Sequence, residues 1–280
     1  MITKTEAVVL KSMKFRESSK IVTFYTRNFG KVRCLAKGAR QLKSKMGASL
    51  QPITAVSLVL YKKEHRELQL LSQCDATETY NKIHGDLERM AAALAVLELV
   101  NQLVHDEEEN SALYSLLRET LDAIEHAKKN VLNLWLAFQI RLAAVFGFSP
   151  DLEACSGCGR SLDEIGADGS AVFQLSRGSF VCGRCLRPQS VEKFNTIASV
   201  KKGPGEAAGK SREDGNTRVS VGTLKVLHRI LKARLDSVAS LELPGTVRNE
   251  IDGTLRLYLR QHFEDLKPIR SLDILKSYSA

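Results

Sequence analysis

Four cysteines fall as two C-x-x-C pairs, Cys155/Cys158 and Cys182/Cys185, with 23 residues between them. Paired thiolates at this spacing are a ligand set for one tetrahedral zinc ion, because a two-residue gap lets one tight turn present two sulfurs to a borderline-soft cation. Gly157 and Gly159 flank Cys158, and Gly183 follows Cys182; glycine there frees the turns to aim amide N–H groups at the sulfurs. Four protein ligands leave no open position for water or substrate, so the expected Zn²⁺ is structural rather than catalytic. Two disulfides, a redox C-x-x-C pair and four unrelated buried cysteines are the competing readings. A deaminase-type centre needs an H-x-E element ahead of P-C-x-x-C, and neither pair is preceded by proline. None of the six histidines completes a ligand pattern; His84, His105 and His126 are expected as lone polar residues on helices.

The second group of chemistry-bearing residues is cationic. The formal net charge is +9, and its placement is uneven: residues 1–80 hold 15 Lys/Arg against 6 Asp/Glu, while residues 81–280 hold 26 of each. A compact segment with that imbalance is suited to a polyanion, since each neutralised phosphate releases condensed counterions. A basic but merely soluble surface is the alternative. The candidate phosphate contacts are Arg16, Lys20, Arg27, Lys31, Arg33, Lys37, Arg40, Lys43 and Lys45, and Phe15, Tyr25, Phe29 and Tyr61 are candidate base platforms unless they are core. Several of these cations lie in or beside a glycine-bounded stretch, Gly38 to Gly47, that has one strong hydrophobe, Leu42, near its centre.

The elements that must position these groups change character along the chain. Ala7 to Ser12, Ile21 to Thr26, Lys31 to Lys37, Ala55 to Tyr61 and Glu67 to Gln73 are rich in Val, Leu, Thr and aromatics and read as five strands. Arg27-Asn28-Phe29-Gly30 supplies a hairpin turn between the second and third. Five strands with a basic connection predict an OB-fold barrel over 1–80, with Cys34 and Cys74 as small buried hydrophobes. After residue 80 the apolar period becomes helical. Leu87 to Val104 form one stripe and Leu113 to Ile124 a second behind an Asn110 or Ser111 cap, with the acidic run Asp106 to Glu109 as a solvated connection between them. Val131 to Phe146 is apolar nearly all round and is expected at the centre of a helical bundle.

The fold class is therefore α+β and multidomain: an N-terminal OB-fold barrel, then a C-terminal helical bundle with an inserted four-cysteine zinc module. The expected divisions are 1–80, 81–150, 151–190 for the zinc module, and 191–280 for the returning helices. Ala171 to Leu175, a Ser176-Arg177-Gly178 turn and Ser179 to Cys182 read as a hairpin joining the cysteine pairs. Residues 201–218 are glycine-rich and poor in apolar side chains, so a flexible loop is expected there. Helices near Val221 to Val238 and Val247 to Leu266 are expected to pack on the first bundle, with Lys267-Pro268-Ile269-Arg270-Ser271 leaving as an exposed basic tail. No run reaches a membrane span, and Met1 to Glu6 lacks a signal pattern. The expected compartment is the cytoplasm, where thiols stay reduced.

Certain residues carry a more specific likeness. They are Glu6-Ala7-Val8-Val9-Leu10, Arg16-Glu17-Ser18-Ser19-Lys20, Phe29-Gly30-Lys31-Val32, and Ala36-Lys37-Gly38-Ala39-Arg40 running into Gln51-Pro52. To these are added Phe146-Gly147-Phe148-Ser149-Pro150-Asp151-Leu152 leading into the cysteines, and Leu257-Tyr258-Leu259-Arg260. On them the chain resembles the RecO family of bacterial recombination mediators over essentially its whole length. The 201–218 stretch departs from the family in looking longer and less regular. The resemblance implies a non-enzymatic protein of DNA damage repair and recombination that binds single- and double-stranded DNA. It also implies annealing of strands coated with single-strand binding protein, loading of RecA at gaps together with RecR, and association with the nucleoid when acting. Some family members lack the cysteines, which fits a structural ion.

Two other classes compete. A zinc-dependent nucleic-acid enzyme needs clustered acid/base groups or a carboxylate pair, and Asp151, Glu153, Asp163 and Glu164 near the cysteines have ordinary loop spacing. An interaction adaptor would use the helical bundle as its working surface, with incidental DNA binding. No G-x-x-x-x-G-K-[ST] loop is present to couple nucleotide hydrolysis to either role.

Overall fold

The computed structural model describes residues 1–44, 46–63, 66–104, 108–166, 169–186, 215–273 and 275. Five strands, β1 (Ile2–Phe15), β2 (Ser19–Thr26), β3 (Gly30–Ala36), β4 (Ala55–Tyr61) and β5 (Leu68–Glu78), close into a barrel in the order β1-β2-β3-β5-β4. β1 is long enough to pair with two neighbours, Ala7 to Phe15 against β2 and Ile2 to Val8 against β4, and a register shift between Val9 and Lys11 bends it. β3 and β5 run parallel (Arg33 opposite Leu68, Leu35 opposite Leu70) and the other pairs are antiparallel. This is the OB-fold arrangement expected from the strand pattern. Followed from strand to strand, the opposed residues Met13, Ile21, Leu35, Leu70 and Tyr61 lead back to β1 at Ile2, eleven residues upstream. That stagger is what a closed sheet of tilted strands requires.

Alternation sorts the side chains. Val22 and Phe24 of β2, Val32 and Cys34 of β3, Leu58 and Leu60 of β4, and Leu71 and Cys74 of β5 fill the interior. Burial pushes the Cys74 thiol up to about 12, with the neighbouring Asp75 carboxylate adding to it. Both barrel cysteines are thus buried hydrophobes, as their strand positions imply.

The first compact unit extends past the barrel, covering Met1–Phe138 and Lys267–Ala280. It includes α1 (Asn81–Gly85), α2 (Leu87–Leu103) and α3 (Ser111–His126). α1, too short for its period to be read in the sequence, is held by the Glu125 carboxylate, which accepts from the Lys82 and Ile83 amides at 3.0 Å each. Asp86 caps α2 by accepting from the Arg89 amide, and Asn110 caps α3 by accepting from the Leu113 amide. In the acidic run, Asp106 and Glu107 lie outside the described residues, as does His105 before them, and Glu108 turns its backbone onto Gly30 instead of standing wholly in solvent. The C-terminal stretch differs from a free basic tail. Its Lys267 amide donates to Gln102, while the Arg270 and Ser271 amides and the Ser271 hydroxyl donate to the Glu98 carboxylate. A carboxylate saturated by such donors is a strong anchor.

The second unit is Gln139–Leu266; α4 (Leu132–Val145) crosses into it, and Gly147 at φ +85 follows the helix. Its sheet has the order β7-β6-β8, from β6 (Ser170–Gln174), β7 (Ser179–Cys182) and β8 (Asn216–Ser220). β6 and β7 are the expected hairpin, with Ala171 opposite Cys182. β8 corrects the reading of 201–218 as one loop. Residues 201–214 lie outside the described residues, but Asn216–Ser220 pairs along β6, burying Thr217 and Val219. A five-residue strand whose partner lies over forty residues away carries no strong local signal. The returning helices α5 (Val221–Lys232), α6 (Leu235–Ser240) and α7 (Gly245–His262) belong to this second unit, where they meet the second half of α4: the Arg141 guanidinium donates to the Ile230 and Ala233 carbonyls, and the Gln139 amide to Asp252 of α7 at 3.4 Å. α5 and α7 are joined through β8: the Glu250 carboxylate of α7 accepts from the Ser220 amide and hydroxyl and from the Thr223 hydroxyl at the start of α5. Tyr258 of α7 donates its hydroxyl to the Phe148 carbonyl at 2.7 Å.

Gly30 yields a stability test. It sits at φ +58, and an added Cβ would lie 2.1 Å from the Glu108 carbonyl oxygen. Gly30→Ala combines left-handed strain with a backbone clash, and is expected to lower unfolding stability by about 2–4 kcal/mol. Denaturant melts check this; a loss under about 0.5 kcal/mol would mean that the Glu108 segment can move aside freely.

Candidate functional site

The four paired cysteines converge. The sulfurs of Cys155, Cys158, Cys182 and Cys185 all lie within 4.8 Å of one another. Cys158 and Cys182 are 3.8 Å apart and Cys182 and Cys185 3.7 Å, and all four are free thiols, which excludes the disulfide reading. A cation bound about 2.3 Å from each of four thiolates separates their sulfurs by about 3.8 Å. The group is thus positioned to hold a metal ion, and the Cys158–Cys182 and Cys182–Cys185 separations are those of a closed tetrahedral site.

Local backbone geometry builds the cluster. The first turn closes through Gly159 N–H to the Cys155 carbonyl at 2.8 Å and Cys155 N–H to the Arg160 carbonyl at 2.9 Å. The second closes through Cys185 N–H to the Cys182 carbonyl at 2.9 Å, and Ser156 N–H to the Phe180 carbonyl ties the two together. Gly159 takes a positive φ, +72, which suits glycine. Gly157 has a different use: a Cβ there would meet the Cys185 Cβ at 2.9 Å and its Sγ at 3.2 Å, so its bareness admits the second pair. The amides of Gly157 and Cys182 donate to the Cys155 sulfur at 3.4 and 3.2 Å.

The electrostatics show why the cluster wants a cation. The Arg160 amide and guanidinium, aided by the Cys185 thiol, draw the Cys158 thiol down to about 6. Hydrogen bonds to Cys158 and Cys182 hold the Cys185 thiol up at about 12, because four thiolates cannot be ionised side by side unaided. Arg160, whose guanidinium stands 3.8 Å from the Cys182 sulfur, was missed in the sequence; its only signal was its place two residues after Cys158.

The basic residues divide between the two ends of the barrel. At the end where β1 meets β2, the Arg40 guanidinium donates to the carbonyls of Arg16 and Glu17 at 3.1 and 2.9 Å, and the Lys20 ammonium reaches the Gly47 carbonyl at 3.4 Å. Lys37 and Lys43 are exposed on the connecting stretch, and Lys14, absent from the sequence candidates, stands directly opposite Lys20. Like charges facing each other across a ladder are costly unless an anion joins them. Burial, then the Arg40 guanidinium, lowers the Lys20 pKa from its ordinary value. Arg33 is exposed on β3, in one outward row with Thr23 and Lys11. At the far end Arg27 pairs with Glu6 at 3.2 Å and Lys31 donates to the Asn101 carbonyl at 3.0 Å. Lys45 lies outside the described residues.

The four aromatic candidates also separate. Tyr25 is fully buried with its hydroxyl on the Asn110 carbonyl, so it is a packing residue and not a base platform. Phe29 packs against the barrel core beneath the Lys62 ammonium. Phe15 is half-buried beside the Arg16 guanidinium, and Tyr61 is 42% exposed. Tyr61 belongs to the outward row that includes Met13, Ile21, Leu35 and Leu70, an apolar surface that becomes visible only once strand register is known.

Comparisons with known proteins agree with one another. The family model described as recombination protein O N terminal matches residues 1–80, and recombination protein O C terminal matches residues 84–273. The DNA repair protein RecO of Chloroherpeton thalassium is 30% identical over 276 residues, covering 98% of both chains. The protein of the same name from Pelotomaculum thermopropionicum is 32% identical over 271 residues, covering 96% of this chain and 93% of its own. That of Salinibacter ruber is 29% identical, covering 98% and 93%.

Two outcomes test the metal centre. Elemental analysis of folded, reduced protein should return one metal ion per chain, and Cys155→Ser should lose it together with roughly 3 kcal/mol or more of stability. Because binding displaces protons from thiols, above all from Cys185, affinity should rise with pH and fall on acidification, more steeply below about pH 6, where Cys158 must also give up a proton to bind. A chelator competition that was flat between pH 5 and 8 would contradict the thiolate assignment.

Proposed function

This chain belongs to the recombination protein O family, and on that footing we propose that it is a mediator that binds single- and double-stranded DNA through its barrel and anneals complementary strands. Family membership carries the broader role, recombinational DNA repair. The observation that carries the finer reading is the gathering of Arg16, Lys20, Lys37, Arg40 and Lys43, with Lys14 added, at one end of the barrel. Repulsion within this group is relieved by a polyanion, and phosphate contacts of this kind are blind to sequence.

Annealing follows from the same physics. A cationic surface that holds two backbones screens their mutual repulsion and lets base pairing find its register. The chain supplies charge and shape and makes or breaks no covalent bond. The partners that go with this role are RecR, single-strand binding protein and, through them, RecA at gaps. The ion of the four-cysteine site is zinc in a structural role: four thiolates suit Zn²⁺ and leave no position for substrate. No helix among the described residues is long and apolar enough to cross a membrane. The working place is the cytoplasm, at the nucleoid.

Replacing Lys37, Arg40 and Lys43 together by Ala should weaken DNA binding for every sequence. The salt slope for single strands should fall by roughly 0.7 per lost contact, about 2 in all. Unchanged affinity and slope would remove this end of the barrel from the interface. In a separate assay the protein should accelerate annealing of complementary oligonucleotides, bare or coated with single-strand binding protein, with no nucleotide added. A strict need for ATP, or no gain over the spontaneous rate, would refute the mediator reading.

A further inference from the structure

Leu42 is more exposed than any other large hydrophobic side chain among the described residues, at 107% of its reference area. Its surroundings are cationic: Lys37, Arg40 and Lys43 are exposed on the same stretch. Gln41 N–H donates to the Gly38 carbonyl at 3.0 Å and Ser44 N–H to the Gln41 carbonyl at 2.9 Å, two successive tight turns that put Leu42 at a corner. One foot of the loop is fastened by Arg40, whose amide donates to Ser18 and whose guanidinium holds Arg16 and Glu17. The other foot is fastened by Lys20 on Gly47 and by Met46 packed against the barrel core.

A leucine at the corner of two tight turns, on a loop tied down at both feet, projects outward before any ligand arrives, so binding bears less of the cost of ordering the loop. We propose that Leu42 is a wedge that inserts between neighbouring bases of a DNA strand whose phosphates are held by Lys37, Arg40 and Lys43. The proposal rests on the DNA-binding reading above and adds a means of unstacking bases. The exposed cations on the same stretch select a polyanion over an ordinary apolar protein segment. A nucleic-acid strand places a flat apolar face within reach of each phosphate, and apolar side chains that enter a base step unstack it. Leu35, which precedes the loop, together with Ile21 and Met13 in its outward row, offers the adjoining bases an apolar surface. A strand splayed in this way cannot pair with itself and presents its edges to a complement.

The test uses the full chain and a single-stranded oligonucleotide with 2-aminopurine at one of several positions, read by fluorescence and by anisotropy. Binding of the unaltered protein should raise the fluorescence as stacking is lost. Leu42→Ser should lose that rise and bind about three- to tenfold more weakly, with the salt slope unchanged because no phosphate contact is removed. Leu42→Met, which keeps the apolar reach, should restore it. An equal melting temperature for both variants would exclude misfolding. A full fluorescence rise with Leu42→Ser would overturn the wedge and leave Leu42 for an apolar pocket on a protein partner. Normal binding by the unaltered protein without any rise would also sink the wedge alone, whereas no binding by anisotropy would sink the DNA reading itself.

Discussion

The double pairing of β1 is the constraint on which the rest of the barrel depends. One strand must satisfy β2 along its second half and β4 along its first, and the shift between Val9 and Lys11 is where it bends from one partner to the other. Once β1 is pinned on both sides, the end of β1, the start of β2 and the end of β3 are brought together by register alone: Lys14, Lys20 and Ala36 are successive partners. The stretch that follows Ala36 therefore starts beside the β1–β2 turn, where Arg40 can hold the Arg16 and Glu17 carbonyls. The basic cluster is a consequence of closure.

Two concentrations of like charge result, one in each compact unit, and both await a counter-charge. In the second unit, the sulfurs lie 3.7–3.8 Å apart, and hydrogen bonds to Cys158 and Cys182 hold Cys185 protonated while Cys158 is drawn toward its thiolate, so that Cys185 keeps its proton until a cation takes its place. In the first, Lys14 faces Lys20, and Lys20 is further discouraged from its charge by burial and by Arg40. Folding holds these groups together at a cost that a bound metal or a polyanion returns as affinity. The difference lies in exposure. Two of the sulfurs, Cys155 and Cys182, are buried, which suits a permanent ion; Arg16, Lys37, Arg40 and Lys43 are exposed, which suits an exchangeable strand.

Polar anchors join what the chain separates. Glu125 carries the start of α1, Glu98 collects the amides of Arg270 and Ser271, and Glu250 ties β8 and α5 to α7. Each is a carboxylate accepting from amides or hydroxyls that would otherwise lack a partner. None has a motif, because the spacing from donor to acceptor runs from about thirty to more than one hundred and seventy residues.

The sequence by itself determined the period of each long element, the two-residue spacing of the cysteine pairs, and the confinement of the charge excess to residues 1–80. These are local properties: strands alternate, helices repeat every three to four residues, and ligand pairs sit on single turns. Hence the barrel strands, α2, α3, α4 and the β6–β7 hairpin were legible, and so was the ligand set. Tertiary structure alone decided the rest. It separated Arg27 and Lys31 from the basic cluster, added Lys14 to it, and buried Tyr25 among packing residues. It turned Asn216–Ser220 into a strand, grouped α5 to α7 with the cysteine-bearing sheet, and brought Arg160 to the sulfurs. The reason is register. A side chain's face depends on which distant strand its own strand opposes, and closing the barrel is what selects that partner.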